Sequence, residues 1–185
     1  MKLSDEKYEE IKAEVIDLLA RYHIKCIPIS GFELAMKMGI ILIPYSSLSP
    51  KKLAAARRVS NDGFYFEPGD GKEYIYYNDS IGYERSNMTI LHEIGHCVLG
   101  HYDGMDQEEA EAEAKFFAKY AVAPPPLVHM INPACPDDIG LAFGISYIAS
   151  VYAFAYYHKW LLKHHRIGNY SKYEQRLLCL FSESA

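Results

Sequence analysis

The sequence predicts an α+β fold: a small mixed β-sheet set among helices, followed by a wholly helical C-terminal part. Three observations predict it. Apolar residues recur at helical spacing in long stretches, as in Tyr8, Ile11, Val15, Leu18, Leu19 and Tyr22. Short β-branched or aromatic runs, Ile40–Ile43, Gly63–Phe66 and Glu73–Asn78, lie between turn signals in the first half of the chain. Beyond Gln107 only helical patterns and their breakers remain.

The chain has 185 residues, half of them apolar, which suits one medium domain or a domain with a small appendage. We divide it at the proline run into 1–126 and a helical region, 127–185, packed on the first as one structural unit. The net charge of −5 argues against a broad electrostatic footprint for nucleic acid. Four scattered cysteines (Cys26, Cys97, Cys135 and Cys179) form no C-x-x-C, so neither a disulfide framework nor a cysteine zinc knuckle is expected. Met1 to Glu6 runs straight into a charged amphipathic helix rather than a signal peptide, and no stretch has the length of a membrane span. The expectation is a soluble, cytoplasmic protein.

The first helix runs from Asp5 to Tyr22. Ser30 and Glu33 form a capping box for a short helix that stops at Gly39. Ile40–Ile43 is a buried strand ending at Pro44. Ser49-Pro50 opens a helix to about Arg58, whose basic residues read as a solvated face. Asn61-Asp62-Gly63 is a turn. Gly63–Phe66 and Glu73–Asn78 flank Pro68-Gly69-Asp70-Gly71 as a β-hairpin. A free edge on the second of these strands could pair with an extended peptide.

The next helix carries His92-Glu93-Ile94-Gly95-His96. Residues four apart share a helix face, so His92 and His96 can offer nitrogens to one point, two thirds of a catalytic zinc site. Glu93 sits about 100° round from His92. It can flank a metal without binding it, which is where a general base must be to deprotonate a water that the metal activates. Met88, Leu91, Val98 and Leu99 make the flanks apolar, so the helix is buried on at least one side. Gly95 costs about 1 kcal/mol in mid-helix relative to Ala, which predicts close approach of another backbone.

A third ligand is required. His101 stands five residues past His96, off the six-residue spacing of the long metalloprotease pattern, and is an alternative ligand or a supporting partner. The helix Gln107 to Val122 offers more. Its wet face holds Glu108, Glu111, Lys115 and Lys119; its dry face holds Ala110, Ala114, Phe117 and Ala121. Glu113 belongs with the dry face, where a carboxylate is costly unless paired. A metal is the expected remedy, with Glu109 next in line. Pro124-Pro125-Pro126 stops this helix.

Thr89 to His96, then Glu111 to Ala118 and Pro124, with Phe143-Gly144-Ile145-Ser146 later, resemble the ImmA/IrrE family of zinc metallopeptidases. The family pattern is H-E-x-G-H, a helix with E-A-N/D-x-F-A, a proline just after it, and F-x-V-S. The resemblance covers about Pro28 to Leu161 and departs at Lys115, where the family usually has Asn or Asp. It implies a zincin-like fold, His92, His96 and Glu113 as zinc ligands, and Glu93 as base. Family members are often encoded by phages and mobile elements, and some cleave or otherwise inactivate a partner repressor.

Pro136 starts a helix through Leu141, Gly144 makes a turn, and Ser146 caps a helix from Tyr147 to about His165. This is the outline of a helix-turn-helix. The second helix opens with Tyr147, Ile148, Ala149, Ser150, Val151 and Tyr152, which are poor readers of bases. The basic cluster Lys159, Lys163, His164, His165 and Arg166 lies at its far end, where it complements the helix dipole. We read the pair as packing against the metal region. Tyr170 to Phe181 forms a last short helix.

The favoured reading is a zinc-dependent endopeptidase that cleaves a regulatory protein such as a phage or mobile-element repressor. Glu93 takes a proton from the attacking water and passes it to the leaving amine, while zinc and a donor among Tyr102, His101, Tyr120 and His158 steady the oxyanion. The rivals are a metal-containing protein that inactivates a repressor by binding without cleavage and, less favoured, a DNA-binding regulator.

Overall fold

The computed structural model describes residues 2–69, 71–101, 105–167 and 170–182. The chain divides into two compact units, one built on Ser30–Ala118 and the other on Ser4–Ile29 and the residues from Lys119 onward. This is not a division at residue 126: the N-terminal helix groups with the C-terminal ones.

The first unit opens with α2, Gly31–Met38, which follows the first helix of the chain, α1 (Asp5–Arg21). The Ser30 hydroxyl accepts from the Glu33 amide at 3.2 Å, and Gly39 closes α2 in the left-handed region at φ 83°. Strand β1 (Ile41–Pro44) follows, then α3 (Pro50–Val59), β2 (Gly63–Phe66) and β3 (Tyr74–Tyr77). The sheet is mixed, in the order β1-β3-β2. β3 pairs parallel with β1 (Ile41 opposite Tyr74) and antiparallel with β2 (Gly63 opposite Tyr77). The expected free edge on β3 is therefore absent, because that strand is the central one. The hairpin alone suggested an edge; the parallel partner comes from far back in the chain.

Helix α4, Tyr83–Val98, lies against this sheet and α2. Its buried residues Asn87, Ile90, Leu91 and Ile94 recur at helical spacing and form one face. The Asn87 side chain accepts the Gly31 amide at 2.7 Å, tying the start of α2 to α4. β2 approaches closely as well: a Cβ on Gly63 would fall 2.7 Å from Thr89 Cγ2 and 2.6 Å from the Tyr76 carbonyl oxygen. Helix α5, Gln107–Val122, packs through Phe117 onto Gly95, where a Cβ would meet the ring at 3.0 Å. The mid-helix glycine thus makes room for an aromatic side chain, not for a second backbone.

In the second unit α1 packs on α9 (Lys172–Ser182), with Arg176 paired to Asp17 and the Tyr173 hydroxyl donating to Glu9. Between α5 and α9 come α6 (Pro125–Ile131), α7 (Pro136–Phe143) and α8 (Tyr147–Ile167). The proline run that stops α5 also starts α6, since a proline in the first turn gives up no helical hydrogen bond. Gly144, at φ 61°, makes the turn between α7 and α8, and the Ser146 hydroxyl accepts from the Ala149 amide at 3.3 Å. Tyr147, Ile148 and Tyr152, at the start of α8, are exposed, and so is Leu141 on α7. At its far end Lys163 pairs with Glu9 at 3.1 Å. The side chains of His164, His165 and Arg166 lie outside the described set. No single helix among the described residues is long and apolar enough to cross a membrane.

Candidate metal centre

Helix α4 presents His92 and His96 one turn apart, with their Nε2 atoms 3.1 Å from each other. Their neighbour from α5 is Glu111. Its Oε1 lies 3.3 Å from His96 Nε2, and its Oε2 lies 3.6 Å from His92 Nε2. Among the described residues these three side chains form a cluster able to hold a metal ion, with one ligand atom from each within 4.8 Å of the others.

The protonation states suit a metal. Burial and the neighbouring His92 push the His96 imidazole down to about 4, and burial lowers His92 as well. Both rings are neutral at pH 7, with lone pairs to give. Burial would raise Glu111, but the Lys115 ammonium 3.1 Å away and the two imidazoles outweigh it and hold the carboxylate ionised. Two neutral imidazoles and one carboxylate match the His2Glu donor set of catalytic zinc.

Glu93, next to His92 on α4, is not one of the three clustered side chains. It is buried, and its Oε2 accepts the Tyr65 backbone N–H at 2.9 Å. Burial pushes its carboxyl up to about 7; the Tyr65 amide works against that shift and the Glu111 charge adds to it. A carboxyl that titrates near neutral pH is suited to moving protons at that pH. Tyr65 sits on β2, and its outward N–H is the one that the β2–β3 pairing does not use.

Glu113, expected as the third ligand, is buried as its sequence neighbours predicted, but its partner is a side chain. Its Oε2 lies 3.1 Å from His101 Nε2, and His101 Nδ1 lies 2.9 Å from His96 Nδ1. The structure brings Glu111, not Glu113, to the histidine pair. The reason is helical rotation: Glu113 is one turn before Phe117 and shares its buried face, whereas Glu111 sits on the half-exposed shoulder. The sequence pattern places Glu111 on the wet face beside Lys115. That pair exists, and the same carboxylate also reaches the imidazoles. The available signal was that a site open to substrate takes ligands from the rim of a helix interface. Glu109 is not part of the cluster. Of the expected oxyanion donors, Tyr102 lies outside the described residues, His101 is engaged with Glu113 and His96, and Tyr120 and His158 belong to the second unit.

The family model described as the IrrE N-terminal-like domain of peptidase M78 matches residues 38–153. No curated protein matches the chain.

Proposed function

Because the chain belongs to the IrrE N-terminal-like family of M78 peptidases, we propose that it is a zinc-dependent endopeptidase with His92, His96 and Glu111 as metal ligands and Glu93 as general base. The observation that carries this reading is the neutral-imidazole and carboxylate cluster one residue away from a carboxyl raised to about 7. A bound zinc acts as a Lewis acid and lowers the pKa of water to about 7. The protein's own part is proton handling. Before substrate binds, the Tyr65 amide holds Glu93 Oε2; once released, the Glu93 carboxylate takes the proton of the attacking water and returns it to the leaving amine nitrogen.

The substrate in this reading is a regulatory protein, such as a phage or mobile-element repressor, met in the cytoplasm and bound through an extended segment. β2 is the strand with an outer edge beside Glu93. A substrate carbonyl laid along that edge would accept the Tyr65 N–H in place of Glu93, releasing the carboxylate for proton transfer. Backbone pairing over four residues selects little sequence, so short generic peptides should be cut slowly and the cognate protein at one or two bonds. The test is co-expression with a candidate repressor, followed by mass spectrometry of the fragments. Discrete fragments with wild-type protein and none with Glu93→Gln are expected. An intact repressor together with regulation unchanged in a Glu93→Gln strain would favour inactivation by binding alone.

A further inference from the structure

Glu113 and His101 are a buried polar pair in an apolar setting, with side chains 9% and 5% exposed, and they reach His96 from the side opposite Glu111. The donor assignments along this row follow from one condition. If His96 offers the bare Nε2 that faces His92 and Glu111, its hydrogen must be on Nδ1. That N–H then donates to His101 Nδ1 across 2.9 Å. His101, accepting at Nδ1, carries its own hydrogen on Nε2 and donates it to Glu113 Oε2 across 3.1 Å. Each atom in the row has one consistent role, and the chain ends on an acceptor-only group.

We propose that His101 and Glu113 are a positioning pair that fixes the tautomer and ring orientation of His96, so that His96 presents Nε2 to a divalent metal. A ligating imidazole commonly donates its second N–H to an acceptor that sets ring orientation and basicity. Here the acceptor is itself an imidazole, oriented by a carboxylate on α5. The pair also accounts for a carboxylate that the sequence places among Ala110, Ala114 and Phe117: it is there to hold His101. His101 follows the end of α4, and Glu113 lies one turn before Phe117 on α5, whose ring seats on Gly95, so the helices that meet there also carry the row.

This inference rests on the metal reading above, and zinc titration separates the two. Zinc affinity is measured by competition with a chromophoric chelator for wild-type protein, His101→Phe, Glu113→Gln and the double variant His101→Phe/Glu113→Leu. The double variant removes the carboxylate together with its imidazole partner, so neither is left buried without the other, and the thermal midpoint of the metal-free protein checks that the fold persists. Expected are one zinc per chain in all four proteins and a 10- to 100-fold loss of affinity in His101→Phe. The double variant should lose no more than that single variant, because both changes break one row. Glu113→Gln, which keeps an acceptor oxygen for His101, should stay within a few-fold of wild type. With cobalt in place of zinc, the visible bands should shift in the two variants that lack His101 and not in Glu113→Gln. Wild-type affinity in a folded double variant overturns this inference and leaves the metal reading standing. Loss of the bound zinc altogether in that variant overturns it in favour of a direct ligand role. Failure of wild-type protein to bind zinc overturns the metal reading and this inference with it.

Discussion

Replacing Glu93 by Gln should stabilise the metal-free protein, and by an amount that depends on pH. In the fold the Glu93 carboxyl is raised from an ordinary 4.5 to about 7, chiefly by burial. In the unfolded chain it returns to the ordinary value. Between those limits the folded state holds a proton that the unfolded state has released, so stability falls as pH rises from about 4.5 and levels off above about 7. With about 1.4 kcal/mol per pH unit of displacement, the full cost of the buried carboxylate above pH 7 is about 3 kcal/mol. Gln keeps the volume and an oxygen for the Tyr65 amide but never ionises. Urea unfolding of chelator-treated wild type and Glu93→Gln should therefore give equal stability near pH 4.5 and an advantage for the variant of about 3 kcal/mol at pH 8. The neighbouring His92 and His96 titrate in both proteins, so their contribution drops out of the difference. A difference that stays flat across this range would refute the reasoning, because Glu93 would then ionise as freely in the fold as in water. The expected result is a stability cost held at the residue proposed to move protons.

Wild-type protein should hold about one zinc per chain, and His92→Ala, His96→Ala and Glu111→Ala should each lose it by equilibrium dialysis; a full complement in Glu111→Ala beside its loss in Glu113→Ala would return the third-ligand role to Glu113. Gly95→Ala places a Cβ 3.0 to 3.2 Å from Phe117; crowding of about 1–3 kcal/mol against a helical gain of about 1 kcal/mol should leave the variant less stable in urea, and a raised midpoint would mean that Phe117 moves aside freely. Duplex DNA should bind weakly and without sequence preference at physiological salt, since the start of α8 is apolar and Lys163 is paired with Glu9; a specific footprint at nanomolar protein would contradict this.

What could be read from the sequence divides by the range of the interaction. The H-E-x-x-H geometry is local to one helix, so the facing of His92 and His96 follows from spacing. The caps at Ser30, Gly39, Gly144 and Ser146 are local too, and each stands where the chain predicted it. The sheet order is not local. Nothing in the hairpin from Gly63 to Tyr77 says that Ile41–Pro44 will cover the far side of β3, which leaves β2 rather than β3 with an outer edge. Helix α6 is hard to read from sequence because its prolines end one helix and begin another, and the first of these effects hides the second.

The proposal of Glu111 rather than Glu113 as a ligand rests on the same distinction. Burial of Glu113 was legible from Ala110, Ala114 and Phe117, and the inference that it needs a partner was sound. Burial says only that a carboxylate must be satisfied; it does not say by what. The partner depends on the rotation of α5 against α4, set by the Phe117 ring seated on Gly95, and that contact puts Glu113 opposite His101. The same rotation leaves Glu111 at the rim, half exposed, where it can reach two imidazoles and still leave the cluster open to solvent. A catalytic metal needs such an opening, because one coordination position must admit water and substrate. For a peptidase the ligand on the wetter face is thus the physically consistent choice, and the drier carboxylate is better placed to orient an imidazole.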